Sequence, residues 1–249
     1  MANIKISFIN SSTVRQDSDV KSLTSVLQDQ VRNDFAPVWG VDADLVFVPK
    51  GATVDPSSWW LVVLDNADQA GALGYHDLTD AGLPLGKVFA ATDDQYGMHY
   101  SITSSHELLE MLADPDINLT AFVTLASGQS GRLYAYEVCD ACQADENAYP
   151  GSDGKTLVSD FVYPSWFESF RKQASTQFDR QKKITAPFQL LPGGYIGYFD
   201  VNSGNGWQQL TAEKLEKKAK SWAHHRPAPG SRRYRRRLPR HEWMRSQTT

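Results

Sequence analysis

Residues 104–115 read SSHELLEMLADP. Ser104 stands three residues before Glu107, the spacing of a capping box, and Pro115 disfavours helix at Asp114, so the stretch predicts a helix over about 104–113. Each helical residue advances about 100°; with His106 at zero, Glu110 falls at roughly 40°, Asp114 at roughly 80° and Glu107 at roughly 100°. Leu108, Leu109, Met111 and Leu112 take the other arc. One side of the helix carries an imidazole and carboxylates, while the other anchors it to a core. His106 and Glu110, one turn apart, can grip a single divalent ion. Glu107, one step around, reaches a water on that ion without ligating it, which is the place of a general base. Bound Zn²⁺ brings the pKa of such a water toward neutrality. The plain alternative is a helix whose acidic face is simply solvated.

Upstream, residues 4–9 alternate like an opening strand. Leu23, Leu27, Val31 and Phe35 repeat every four residues, an amphipathic helix over 20–35. Residues 44–48 and 59–64 read as buried strands, the second apolar on both faces and so more central. Gly71, Gly74, Gly82 and Gly86, with Pro84, mark a Gly-rich loop, with a short strand over 87–92 behind it. Downstream, strands are predicted at 122–125 and 133–138, a polar loop at 145–155, and a last strand at 195–199. Phe161, Tyr163, Trp166, Phe167 and Phe170 read as core packing. This order of elements gives an α+β layered fold.

The HELLE string resembles the active-site helix of zincin-type metallopeptidases, whose signature is His-Glu-x-x-His, with Glu110 in the place of the second His. The wider SHELLEMLADP, with YEVCD at 136–140, is also similar to uncharacterised bacterial and phage-encoded proteins, over about residues 20–170. The zincin resemblance implies a mixed sheet with an active-site helix, a Gly-rich lead-in, and an edge strand that takes up substrate backbone by strand addition. It implies a metal-dependent hydrolase acting on a peptide or protein, with Glu107 as general base, His106 and Glu110 as ligands, and a downstream carboxylate completing the set. Of the two candidates in YEVCD, the resemblance favours Glu137 as ligand and Asp140 as the group that orients a ligand His, with the roles open to exchange. Asp114, on the correct arc, is a third option. His76, in the Gly-rich stretch, would approach the ion or polarise a substrate carbonyl; the alternative is a surface histidine. Zn²⁺ is the first expectation, and the oxygen-rich donor set leaves harder divalent ions open.

The 249 residues are 41% hydrophobic and 22% charged, a globular composition long enough for one large domain. No apolar run approaches about 18 residues, so no membrane span is expected. The opening MANIKISFINSS does not read as a secretory signal, which points to the cytoplasm or a virion. Cys139 and Cys142 are too few for a four-thiolate zinc site and read as two loop thiols near the helix; a disulfide or a sulfur contribution to the metal site are the alternatives. No Gly-x-Ser-x-Gly elbow and no phosphate-cradling Gly-rich loop occurs. Asp145, Glu146, Asp153 and Asp160 match no calcium loop and read as surface acids. Charge is divided: residues 211–249 hold 12 Lys+Arg against 3 Asp+Glu, and residues 1–210 hold 13 against 26. A globular domain over 1–210 is expected to carry a basic helix and a flexible Arg-rich tail over 211–249. Residues 226–245 suit a nucleic acid, an acidic protein surface or the acidic body of a second copy. That tail favours a second reading, a non-catalytic structural or interaction protein such as a phage virion component, which keeps a zincin-like fold and anchors through its basic end.

Overall fold

Alternation at the start of the chain produces strand β1 (Ile4–Asn10), with Ile6 and Phe8 fully buried. The four-residue repeat produces helix α1 (Asp17–Asp29), which widens into a π turn (Gln30–Phe35) before a short α2 (Ala36–Trp39). The predicted single helix is thus interrupted at Gln30. Its buried amide donates to Tyr149 Oη and to the Ser159 carbonyl, each at 3.0 Å, and accepts from Ser105 Oγ at 2.7 Å. Val31 and Phe35 stay buried through the interruption.

Strands β2 (Ala43–Val48) and β3 (Trp59–Leu64) follow. The Gly-rich stretch is largely a hairpin rather than a loop. Strands β4 (Gly74–Leu78) and β5 (Pro84–Phe89) pair antiparallel, and the turn between them holds Gly82 at φ +80°. Gly74 and Gly86 serve close approach, not turning. A Cβ on Gly86 would meet Leu61 Cδ1 at 2.7 Å, and one on Gly74 would meet Thr103 Cγ2 at 2.8 Å and Glu107 Cγ at 2.9 Å. The five strands form one sheet in the order β2-β1-β3-β5-β4, parallel except for the edge strand β4. β3 lies at its centre, as its apolar faces predict.

Helices α3 (Ala90–Tyr96) and α4 (Tyr100–Ala113) come next. α4 starts earlier than the capping-box reading predicts. Ser104 lies inside it, and its hydroxyl donates to the Tyr100 carbonyl at 2.7 Å instead of capping. α4 packs on β3, β4 and β5, and every residue from Ser101 to Ala113 is buried. The acidic arc is therefore an interior surface, not a solvated one.

Strands β6 (Thr120–Thr124) and β7 (Gly131–Ala135) open a second, antiparallel sheet. After the two-residue strands β8 (Tyr149–Pro150) and β9 (Leu157–Val158), it is completed by β10 (Tyr195–Asp200) and β11 (Trp207–Thr211), in the order β11-β10-β7-β6. β10 is not the last strand; the polar sequence WQQLT of β11 hides its partner. Phe161 and Trp166 are fully buried as core, and Phe161 meets the Phe35 ring edge-on at 5.3 Å, whereas Phe170 is exposed. The structure, a computed structural model, describes residues 4–69, 72–124, 131–171 and 176–212. The basic helix and Arg-rich tail lie, from residue 213 on, outside the described residues. Among the described residues no helix is long and apolar enough to cross a membrane.

Asp160, expected at the surface, is buried together with Asp179. Asp160 Oδ1 accepts from the amides of Phe161 and Gln181, and Asp179 accepts from those of Lys183 and Ile184, so the pair ties down the aromatic segment. Burial and the neighbouring Asp179 push Asp160 up to about 8, so at neutral pH Asp160 holds a proton. In the unfolded chain the same group ionises near about 3.9. Stability from the pair is therefore complete below about pH 4 and falls as pH rises toward 8. Asp160→Asn keeps the donor without titrating. At pH 7.5 it should stabilise the fold by about 2 kcal/mol, with the gain shrinking toward pH 4. Thermal melts of both proteins across this range test it; a pH-independent difference would contradict the raised pKa of Asp160.

Candidate metal centre

Strand register positions the first donor. β4 and β5 pair His76 with Gly86, so His76 projects from the face that α4 covers, beside a position with no side chain. Gly74, at the start of β4, lets the helix close in, since a Cβ there would stand 2.9 Å from Glu107 Cγ. Glu107 is thereby set next to His76, with Nδ1 3.3 Å from Glu107 Oε2.

The rotation of α4 is fixed by its own polar side chains. Thr103 Oγ1 donates to Asp93 at 2.9 Å, and Ser105 Oγ accepts from the Ser159 amide at 3.0 Å while donating to Gln30. His106 and Glu110 then meet as their spacing predicts, with Nε2 3.2 Å from Glu110 Oε1. After β7 the chain runs back to α4 and ends in a 3₁₀ turn (Asp140–Cys142). Asp140 Oδ1 comes to 3.4 Å from His106 Nε2, and Glu137 Oε2 to 3.7 Å from His76 Nε2. The Cys139 amide donates to Glu110 Oε1 at 3.2 Å. Glu137 and Asp140 thus both arrive, each at a different histidine. Asp114 does not join them: its two oxygens accept from the amides of Asn118 and Leu119, each at 3.0 Å, and turn the chain after α4.

Cys139 and Cys142 are free, buried thiols. Cys139, which the sequence suggests is a loop thiol, is a donor at the centre. One ligand atom from each of His106, Glu110 and Cys139 lies within 4.8 Å of the other two, and the same holds for His76, Glu110 and Glu137. Its position directly before Asp140 was the available signal.

The side chains of His76, Glu107, Glu110, Glu137 and Asp140 are 4% exposed or less, and that of His106 is 10% exposed. Burial alone would depress both imidazoles, yet the carboxylates prevail. Glu107, Glu137 and Glu110 raise His76, and Glu110 and Asp140 hold His106 well above its ordinary value. Burial and Asp140 push Glu110 up to about 7, against the pull of His106. Burial, aided by Glu110, raises the Cys139 thiol well above its usual range. Four carboxylates share this space with two imidazoles, so it stays negative even with both imidazoles protonated. A buried excess of one sign calls for a counter-charge.

The donors fit a divalent cation. Nitrogen and oxygen atoms 3.2 to 3.7 Å apart match neighbours on an ion whose bonds are about 2.0–2.2 Å. His76 Nε2, fully buried, has no hydrogen-bond partner among the described residues. In comparisons with known proteins, no family model, curated protein or solved structure matches the chain.

Proposed function

We propose that this chain is a metal-dependent hydrolase, a zincin-like peptidase. The observation that carries the reading is the convergence of Glu110 Oε1 and Asp140 Oδ1 on His106 Nε2, at 3.2 and 3.4 Å, with Glu107 on the adjoining position of the same helix. A divalent ion held there, Zn²⁺ first, acts as a Lewis acid that acidifies water and polarises a carbonyl. Glu107 takes the water's proton. His76 Nδ1 donates to Glu107 Oε2 and orients the carboxylate. Edge strand β4, paired among the described residues only to β5 and packed beside α4, supports a peptide substrate that pairs with it in extended form. The chelator-stripped full chain should take up Zn²⁺ and hydrolyse an unfolded protein such as casein; chelator should stop the reaction and Zn²⁺ restore it. A chain that takes up no divalent ion sinks the reading.

One observation favours a second reading. The donors are nearly closed to water, His106 being the most exposed at 10%. A cation enclosed in this way serves stability, and the chain is then a structural or interaction protein whose basic end anchors it to nucleic acid or a neighbouring subunit. Stoichiometric Zn²⁺ without hydrolysis, together with lost assembly after truncation near residue 225, would select it.

A further inference from the structure

We infer that the centre takes two divalent cations, with Glu110 bridging them: one at His106, Glu110 and Cys139, with Asp140 beside His106, the other at His76, Glu137 and Glu110. The inference rests on the metal-dependent reading above and extends it from one ion to two. Glu110 stands between two histidines, Oε1 3.2 Å from His106 Nε2 and Oε2 3.7 Å from His76 Nδ1. The two donor groups that satisfy the distances for an ion, His106 with Glu110 and Cys139, and His76 with Glu110 and Glu137, both contain it.

His76 carries the second ion. Its Nδ1 is engaged with Glu107 Oε2 at 3.3 Å, and a neutral imidazole that donates there presents a lone pair at Nε2. Facing that lone pair is Glu137 Oε2 at 3.7 Å. Two acceptors opposed at this separation, inside the protein, repel unless something positive lies between them. A proton serves poorly, because 3.7 Å exceeds the reach of an N–H···O bond. A cation with bonds of about 2.0–2.2 Å spans the gap. Glu107 then plays the part of a carboxylate that fixes the tautomer of a ligand histidine through its other nitrogen. Paired ions held by a shared carboxylate are a recognised arrangement for hydrolysis, where they clamp both sides of the bond being broken.

The test is a titration of the chelator-stripped full chain with Zn²⁺, read by calorimetry. Wild type should bind two ions, His76→Ala one, and Glu110→Gln should weaken both by at least 100-fold. Circular dichroism establishes that each variant is folded. As a measurement independent of any variant, the Mn²⁺-loaded wild type should show the exchange-coupled electron paramagnetic resonance spectrum of a pair, not six lines of isolated ions. One ion in wild type, with isolated-ion lines, overturns the bridge and leaves the single-ion hydrolase standing. No bound ion overturns both.

Discussion

Glu107→Gln is expected to leave cation binding intact and to lower hydrolysis by about 10²–10⁴-fold. The side chain lies against His76 and Gly74 with little slack, since a Cβ on Gly74 would already touch it at 2.9 Å. Glutamine has the same shape, and its amide oxygen still accepts from His76 Nδ1. Only the capacity to take a proton is lost. The fall should therefore appear in kcat, with KM little changed, because the substrate meets the same surface. Metal content measured beside the rate separates the outcomes. Unchanged hydrolysis would remove Glu107 as the base. Lost metal would make it a ligand.

The parts of this site that lie within one turn of helix were legible in the sequence, and the parts that depend on which chain segments meet were legible only as candidates. His106, Glu107 and Glu110 sit where a 3.6-residue period puts them, because α4 is regular from Tyr100 to Ala113. The start of that helix was misplaced because Ser104 bonds back to Tyr100, a local alternative to capping that leaves no trace in residue order. Four glycines and a proline within sixteen residues suggest turns, and the sequence by itself puts His76 in a loop. Only Gly82 among the described ones turns there; Gly74 makes room for α4 and Gly86 for Leu61 of β3, which are facts about other elements. The division of Glu137 to His76 and Asp140 to His106 follows from the path after β7, set by a second sheet whose last strand is too polar to announce itself. Asp160 looked like a surface acid because a carboxylate is seldom buried unpaired. Its neighbour Asp179, whose charge helps to raise Asp160, is nineteen residues on.

That second sheet reaches the metal centre through backbone, and Gly194→Ala should expose the connection. The substitution is expected to cost about 3 kcal/mol and to weaken Zn²⁺ binding, although residue 194 is not among the donors. A Cβ at 194 would stand 2.2 Å from the Ala141 carbonyl oxygen and 2.7 Å from its carbon. No side chain can swing aside to relieve this, because the obstacle is main chain. The main chain is also pinned: the Leu191 amide donates to the Ala141 carbonyl at 3.0 Å, Gly194 to Leu191 at 2.8 Å, and Ala212 to Gly194 at 2.9 Å. Relief requires the peptide at 141 to move, and Asp140 and Cys139 move with it. Gly204→Ala is the control. It occupies open space at φ +65° and should cost about 1 kcal/mol of local strain without touching Zn²⁺ affinity. Urea melts and Zn²⁺ titrations of the two variants decide the matter. If Gly194→Ala binds Zn²⁺ as wild type does, residues 139–142 are held in place by α4 alone, and the second sheet has no part in building the centre.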